Sequence, residues 1–253
     1  MNAKASFYTA RASLRAALVA SIACLIAPTL RAVDLAAEDA EEYDEYAMPQ
    51  VSDPLEKFNR TIFKFNGAVT VYVLTPVSNG YTAVVPKKAR EGIGNFFSNL
   101  AFPLRFTGSL LQGKLDRSAA ETGKFLVNST VGLGGFLKVS DHVPELRVPD
   151  EDIGQAFGVW GLGHGPYLVI PVLGPASLRD GLGRICAIPL NPMRWEFAES
   201  MDWTVRDGSM VLETVNGLPA TLENLDRITR SAVDPYVAVR NGYIQYRDAE
   251  VKK

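Results

Sequence analysis

Cysteine and histidine are nearly missing from this chain, with two of each in 253 residues. Cys24 falls in the leader described below, so Cys186 stands alone in the mature chain and no disulfide framework can form. Cys186 reads as a small buried apolar residue. His142 and His164 are isolated, without other ligands at metal-binding spacing, and read as structural or surface side chains. No metal and no cofactor is expected. A basic excess is missing as well. Lys and Arg number 26 against 28 Asp and Glu, a formal net charge of -2, which gives no electrostatic case for nucleic acid. Beyond residue 30 there is no charge-free run of the roughly 20 apolar residues that a membrane-spanning helix needs. Yet 47% of the residues are apolar and the mean hydropathy is +0.03. Any contact with a membrane must therefore come from faces and short segments.

Catalytic signatures are absent too. Ser177 sits in Gly-Pro-Ala-Ser-Leu, without the flanking glycines of a nucleophile elbow. A serine triad would have to use His142 or His164, and nothing points to either. Glu151 and Asp152 form a carboxylate pair but read more simply as first-turn helix charges. The glycines of 128–137 lack the Gly-Lys-Ser/Thr ending of a phosphate loop. The chain does not read as an enzyme.

What is present begins with a leader over 1–32. Lys4, Arg11 and Arg15 precede a short apolar run over 16–27, Pro28 breaks it, and Ala32 is a candidate cleavage point. This pattern implies export into a bacterial envelope. Cleavage after Ala23 would instead expose Cys24 for lipidation, although Ser21 and Leu25-Ile26-Ala27 fit that signal poorly. Residues 33–52 carry Glu38, Asp39, Glu41, Glu42, Asp44 and Glu45, an acidic tract expected to be a disordered tether. A single domain follows over 53–253. Asp53 is expected to cap its first helix, with Pro54 at the first position and Glu56 completing a capping box. Leu55, Phe58, Ile62, Phe65 and Val69 recur at helical spacing. That face suits either a core or a bilayer interface, where Lys57, Arg60 and Lys64 would meet lipid headgroups. Further helices are expected over 86–100, 103–113, 114–129, 177–188, 201–218, 220–230 and from Asp234 onward. The last puts Tyr236, Val239, Tyr243 and Tyr246 on one face. Trp195, Phe197 and Trp203 suit a core or an interface.

The stretch 152–184 is different. Glycines at 154, 158, 161, 163 and 165 alternate with bulky residues, and Pro166, Pro171 and Pro175 punctuate an apolar run. Glycine opens backbone angles closed to other residues, and proline excludes helix interiors. The stretch reads as a bent, greasy hairpin rather than a regular helix or a soluble-core strand.

Four segments then resemble the MlaA (VacJ) family. They are Asp53-Pro54-Leu55-Glu56-x-Phe58-Asn59-Arg60 with Phe65-Asn66, and Asn128-Ser129-Thr130-x-Gly132-x-Gly134-Gly135-Phe136. The third runs from Gly154-Gln155 through Gly165-Pro166-Tyr167 to Arg179-Asp180, and the fourth is Asp234-Pro235-Tyr236 with Arg240. They cover 53–246 in order. Lys124 and Lys138 stand where the family more often has Arg and Asp, and 185–230 matches weakly.

The resemblance implies a mainly α, ring- or disc-like domain in the inner leaflet of the outer membrane. An amphipathic channel would pass mislocalised phospholipids from the outer leaflet to a periplasmic lipid-carrier protein, beside a trimeric porin. Such work needs an adjustable greasy gate, for which Trp160, Gly161, Gly163, Gly165, Pro166 and Tyr167 are the candidates. The rival readings are a soluble periplasmic scaffold or porin-associated structural protein without a lipid path, and a lipid-processing enzyme.

Overall fold

The computed structural model describes residues 51–195 and 203–253. The leader, Cys24, the acidic tract up to residue 50, Phe197 and Met201 lie outside the described residues. Helix α1 (Glu56–Val69) continues through a π-helical turn at Thr70–Leu74 into α2 (Thr75–Val84). Next come α3 (Lys87–Leu100), α4 (Phe102–Leu111) and α5 (Leu115–Thr130). Short 3-10 turns lead to α6 (Ile153–Val159), the strands β1 (Tyr167–Ile170) and β2 (Gly174–Ser177), and α7 (Leu178–Ala187). The long α8 (Trp203–Arg230) and α9 (Pro235–Lys252) complete the chain.

The fold is mainly α with one small antiparallel hairpin, in which Tyr167 faces Ser177 and Ile170 faces Gly174. Among the described residues no single helix is long and apolar enough to cross a membrane. The segment Glu56–Val84 meets Lys87–Leu100 at a bend of 113°. Pro86 sits at that bend in an extended conformation, which suits a ring with no N–H and a fixed φ.

The hairpin shows why α1 carries its asparagines. One edge of β1 pairs with β2, and the other would leave backbone groups bare. Asn59, fully buried, donates from Nδ2 to the Tyr167 carbonyl at 3.0 Å and accepts the Val169 N–H at 2.9 Å. Asn66 donates to the Ile170 carbonyl at 3.0 Å and accepts the Val172 N–H at 2.7 Å. Seven helical residues rise about 10.5 Å. Three strand residues advance about 10 Å. The two periods coincide, so side-chain amides two helical turns apart stand in for a neighbouring strand. Val172, held at φ 66°, is fixed by its bond to Asn66.

Asp53 does not cap α1, contrary to the expectation above. Leu55 holds the cap position and makes no side-chain bond there. The Asp53 carboxylate is drawn inward instead. It accepts from Asn59 at 2.9 Å, from the Tyr236 hydroxyl, and from Arg240 at 3.3 Å. Arg60 completes the tie, pairing with Asp234 at 2.8 Å and lying 4.5 Å over the Tyr236 ring. Asp234 caps α9 as expected, accepting the Tyr236 and Val237 N–H groups. The first and last helices are thereby fastened together.

Tyr167 and Val169 pack with Tyr236, Tyr243, Ile244 and Tyr246 in one cluster, with Ile62 and Phe63 of α1 against it. The expectation that the hairpin is no core strand therefore fails for its inward side. Two further expectations are corrected. The segments 201–218 and 220–230 belong to the one element α8, with Pro219 inside it. The helix packs against α2, α3 and α9. Cys186 is exposed rather than buried, on the outer side of α7.

Candidate functional site

The centre of the protein is organised by α6, α7 and α9. Asp152 caps α6 by accepting the Gln155 N–H at 2.8 Å. Ser177 caps α7 by accepting the Asp180 N–H at 3.1 Å, as the capping-box spacing predicts. Asp180 is more than a capping partner. It accepts from Ser177 at 2.9 Å, from the Tyr243 hydroxyl at 2.7 Å and from Arg247 at 2.8 Å. Arg247 spans to Asp152 at 2.7 Å with its other nitrogen. Burial alone would raise the Asp180 pKa, but the Arg247 and Arg179 guanidiniums outweigh it and hold the carboxyl well below the usual range. Asp152 is lowered in the same way by Arg247. Burial and the adjacent Asp180 charge push the Tyr243 phenol up, keeping it a donor.

The close approach of these helices depends on missing side chains. A Cβ on Gly183 would fall 2.5 Å from the Gly154 nitrogen, and one on Gly108 would fall 2.8 Å from the Glu151 backbone. Both contacts are with backbone and cannot relax cheaply. Glu151 itself is buried, with Lys114 at 2.9 Å, Gln112 at 2.8 Å and Arg117 on its oxygens. Glu151 and Asp152 are thus ion-network members and a cap, not simple first-turn charges.

These elements line a cavity of about 240 Å³ with both apolar and charged side chains. Phe97, Leu100, Leu104, Ile188, Leu190 and Met193 are among the apolar ones. Arg105, Glu151, Asp152, Asp180, Arg184 and Arg247 are among the charged ones. The outside of the molecule is greasy in turn. From α1 through α2, Phe58, Phe65, Val71, Val73 and Val77 are exposed, and Tyr72 and Val84 reach 79% and 81%. Leu133, Leu137, Trp160, Leu162 and Ile185 extend this exposure. Exposed apolar side chains in this number mark a candidate interaction surface. Of the expected apolar face of α1, only Ile62 packs inward on the core cluster; Leu55, Phe58 and Phe65 look out.

The MlaA lipoprotein family model matches residues 51–250. The chain belongs to the MlaA family. It is similar to the intermembrane phospholipid transport system lipoprotein MlaA of Shigella flexneri, 33% identical over 200 residues, covering 78% of this chain and 77% of that one. The protein of the same description from Escherichia coli (strain K12) matches to the same extent. A solved structure described as "Structural basis for maintenance of bacterial outer membrane lipid asymmetry" superposes with a TM-score of 0.67 at 33% identity. It covers 79% of this chain and all of the other.

In this MlaA-family chain the motif residues turn out to be fasteners. Asp53, Asn59, Arg60, Asn66, Asp234 and Tyr236 tie α1, β1 and α9 together, and Arg179 and Asp180 sit in the buried charge cluster. Pro235 is the first residue of α9, whereas Pro54 lies in the turn before α1 rather than at its first position, and Phe58 and Phe65 face outward. Of the six gate candidates, none is among the described lining residues of the cavity. Trp160 is exposed and donates from its indole to the Leu111 carbonyl at 2.9 Å, satisfying the end of α4. Gly161 has φ 90° and open space around it, as does Gly163. Gly165 lies against Leu178, Pro166 is exposed and Tyr167 is core. Lys57 and Lys64 are exposed, whereas Arg60 is committed to Glu56 and Asp234. The lining residues were missed because they come from six helices, the residues before α6 and the short turns after α7, with no shared local spacing.

Proposed function

We propose that this chain carries phospholipid between the membranes of a bacterial cell envelope. It would sit in the periplasmic leaflet of the outer membrane, take phospholipids mislocalised to the outer leaflet, and hand them to a periplasmic lipid carrier. A trimeric porin is the proposed neighbour. The observation that carries this reading is the cavity, lined by both apolar and charged side chains, inside a molecule with many large apolar side chains on its exterior. The similar MlaA lipoproteins, components of an intermembrane phospholipid transport system, support it.

The physics sets the requirement. About 30 tail methylenes at roughly 0.8 kcal/mol each make exposure to water cost on the order of 20 kcal/mol. Dragging a charged head through hydrocarbon is also costly. A cavity with both kinds of side chain relieves the second cost, and an immersed exterior with a docked carrier relieves the first. In this reading the headgroup moves past the charged lining while the tails lie along the apolar lining. No bond is made or broken, so the reading assigns no catalytic residue.

The turn 160–166 remains the proposed gate, since Gly161 and Gly163 are unencumbered. Valine at both positions should raise outer-leaflet phospholipid in a stably folded protein; unchanged lipid asymmetry would remove the role. Lys57 and Lys64 are the proposed headgroup contacts on the outside, and charge reversal there should weaken membrane retention. The function as a whole is tested by extraction. The protein should resist high salt, require detergent and bring phospholipid with it. Release by salt, without lipid, would favour a scaffold.

A further inference from the structure

We propose that Arg184 makes the cavity a receptor for the phosphate of an anionic phosphodiester headgroup. This rests on the lipid-carrying reading above and names the feature of the lipid that is recognised.

The charged lining is almost self-neutralising. Asp150 is shared by Arg105 and Lys124, each at 3.4 Å. Arg105 is further engaged by Glu121 at 2.7 Å. Glu151 is held by Lys114 and Arg117. Asp152 and Asp180 share Arg247, at 2.7 and 2.8 Å. Glu213 has an interaction of its own. Among the described residues Arg184 differs: it lines the cavity without a hydrogen bond or ion pair, and its Nη1 is shut from solvent. Gln155 adds a second unfilled group to the same cavity, its Oε1 buried without a donor.

Arg184 is only partly buried, but a guanidinium nitrogen closed off from solvent without an acceptor is costly unless an acceptor visits it. The positions are fixed, because Gly183, next to Arg184, abuts Gly154, next to Gln155. The same cavity is lined by Leu100, Ile188 and Met193. A ligand that satisfies all three features has a compact anion for Arg184, a hydroxyl or ammonium for Gln155, and hydrocarbon beyond. A glycerophospholipid head has that order of groups. A planar guanidinium suits phosphate oxygens better than an ammonium does.

The test uses the full chain purified in detergent and loaded from mixed micelles. One arm offers phosphatidylglycerol and the other diacylglycerol with the same acyl chains, which lacks only the phosphate head. Bound lipid is counted by native mass spectrometry. The expected result is strong retention of phosphatidylglycerol over diacylglycerol by the wild type. Arg184→Gln should lose about tenfold or more of the phosphatidylglycerol and leave diacylglycerol unchanged, with Arg184→Lys in between. Equal thermal unfolding of Arg184→Lys and wild type keeps the comparison free of folding defects. Equal retention of phosphatidylglycerol by wild type and Arg184→Gln would overturn the inference and leave lipid carriage standing. Equal retention of both lipids by the wild type would mean that water alone occupies the site, and would also overturn it. Displacement of lipid by millimolar inorganic phosphate would make it a free-phosphate site and overturn it too. A wild type that holds neither lipid would sink both readings.

Discussion

Asp180 joins α7 to α9 through one carboxylate, bonded to Ser177, Tyr243 and Arg247, and Arg247 carries the tie on to Asp152 at α6. Removing one partner of a buried charge cluster costs about 3–5 kcal/mol, because the other charges stay buried without compensation. Arg247→Met should destabilise by that order, read as a shift of the denaturant midpoint. The cluster also sets an acid limit. The Asp180 carboxyl titrates below its unfolded value of about 3.9. Its stabilisation is therefore present above pH ~4 and lost as pH falls toward the folded value. Denaturant midpoints measured from pH ~7 to ~3 should fall in the wild type. Asp180→Asn should start lower and show a shallower acid limb. The Ser177–Asp180 half of this cluster was visible in sequence, since a capping box has local spacing. The Tyr243 and Arg247 half was not, because their partners lie in α7 and α6, far away in the chain. Asp53 misled for the same reason: its local context is that of a helix cap, and distant partners claim its carboxylate.

The element that most determines the hairpin is α1. Asn59→Leu would strip both backbone partners from the inner half of β1, leaving a buried carbonyl and N–H bare. At about 1–3 kcal/mol for each unsatisfied group, a loss of roughly 2–6 kcal/mol is expected. Asn66→Leu, whose bonds are only partly buried, should cost less, and the ranking is checked by chemical denaturation of the two variants. Gly183→Ala offers a second test, since its Cβ would meet the α6 backbone at 2.5 Å. It should separate α6 from α7, lowering the unfolding temperature and weakening lipid retention together. Helix positions were legible from periodicity and from Pro86, Gly113 and Asp234. The division of α8 was not, because Pro219 reads as a stop and only tertiary packing keeps it inside a helix. The strand character of 167–177 was partly hidden too, as its outer edge is completed by side chains rather than by another strand.

At the scale of the whole molecule, the apolar surplus without a spanning helix was the informative sequence feature. It predicted greasy faces, and the exposed residues from Phe58 to Val84 supply them. The cavity left no such trace, because its lining is assembled from residues between Phe97 and Arg247. Whether that cavity is the lipid path is tested most directly by filling it in a folded protein. Ala187 lines it at the end of α7, and Ala187→Trp would place an indole within it. The measurement is the outer-leaflet phospholipid content of cells carrying wild type or Ala187→Trp, at matched amounts of protein extracted from the outer membrane. Phospholipid accumulating in the outer leaflet with the filled variant is the predicted result. Wild-type lipid asymmetry with the cavity filled would contradict the account.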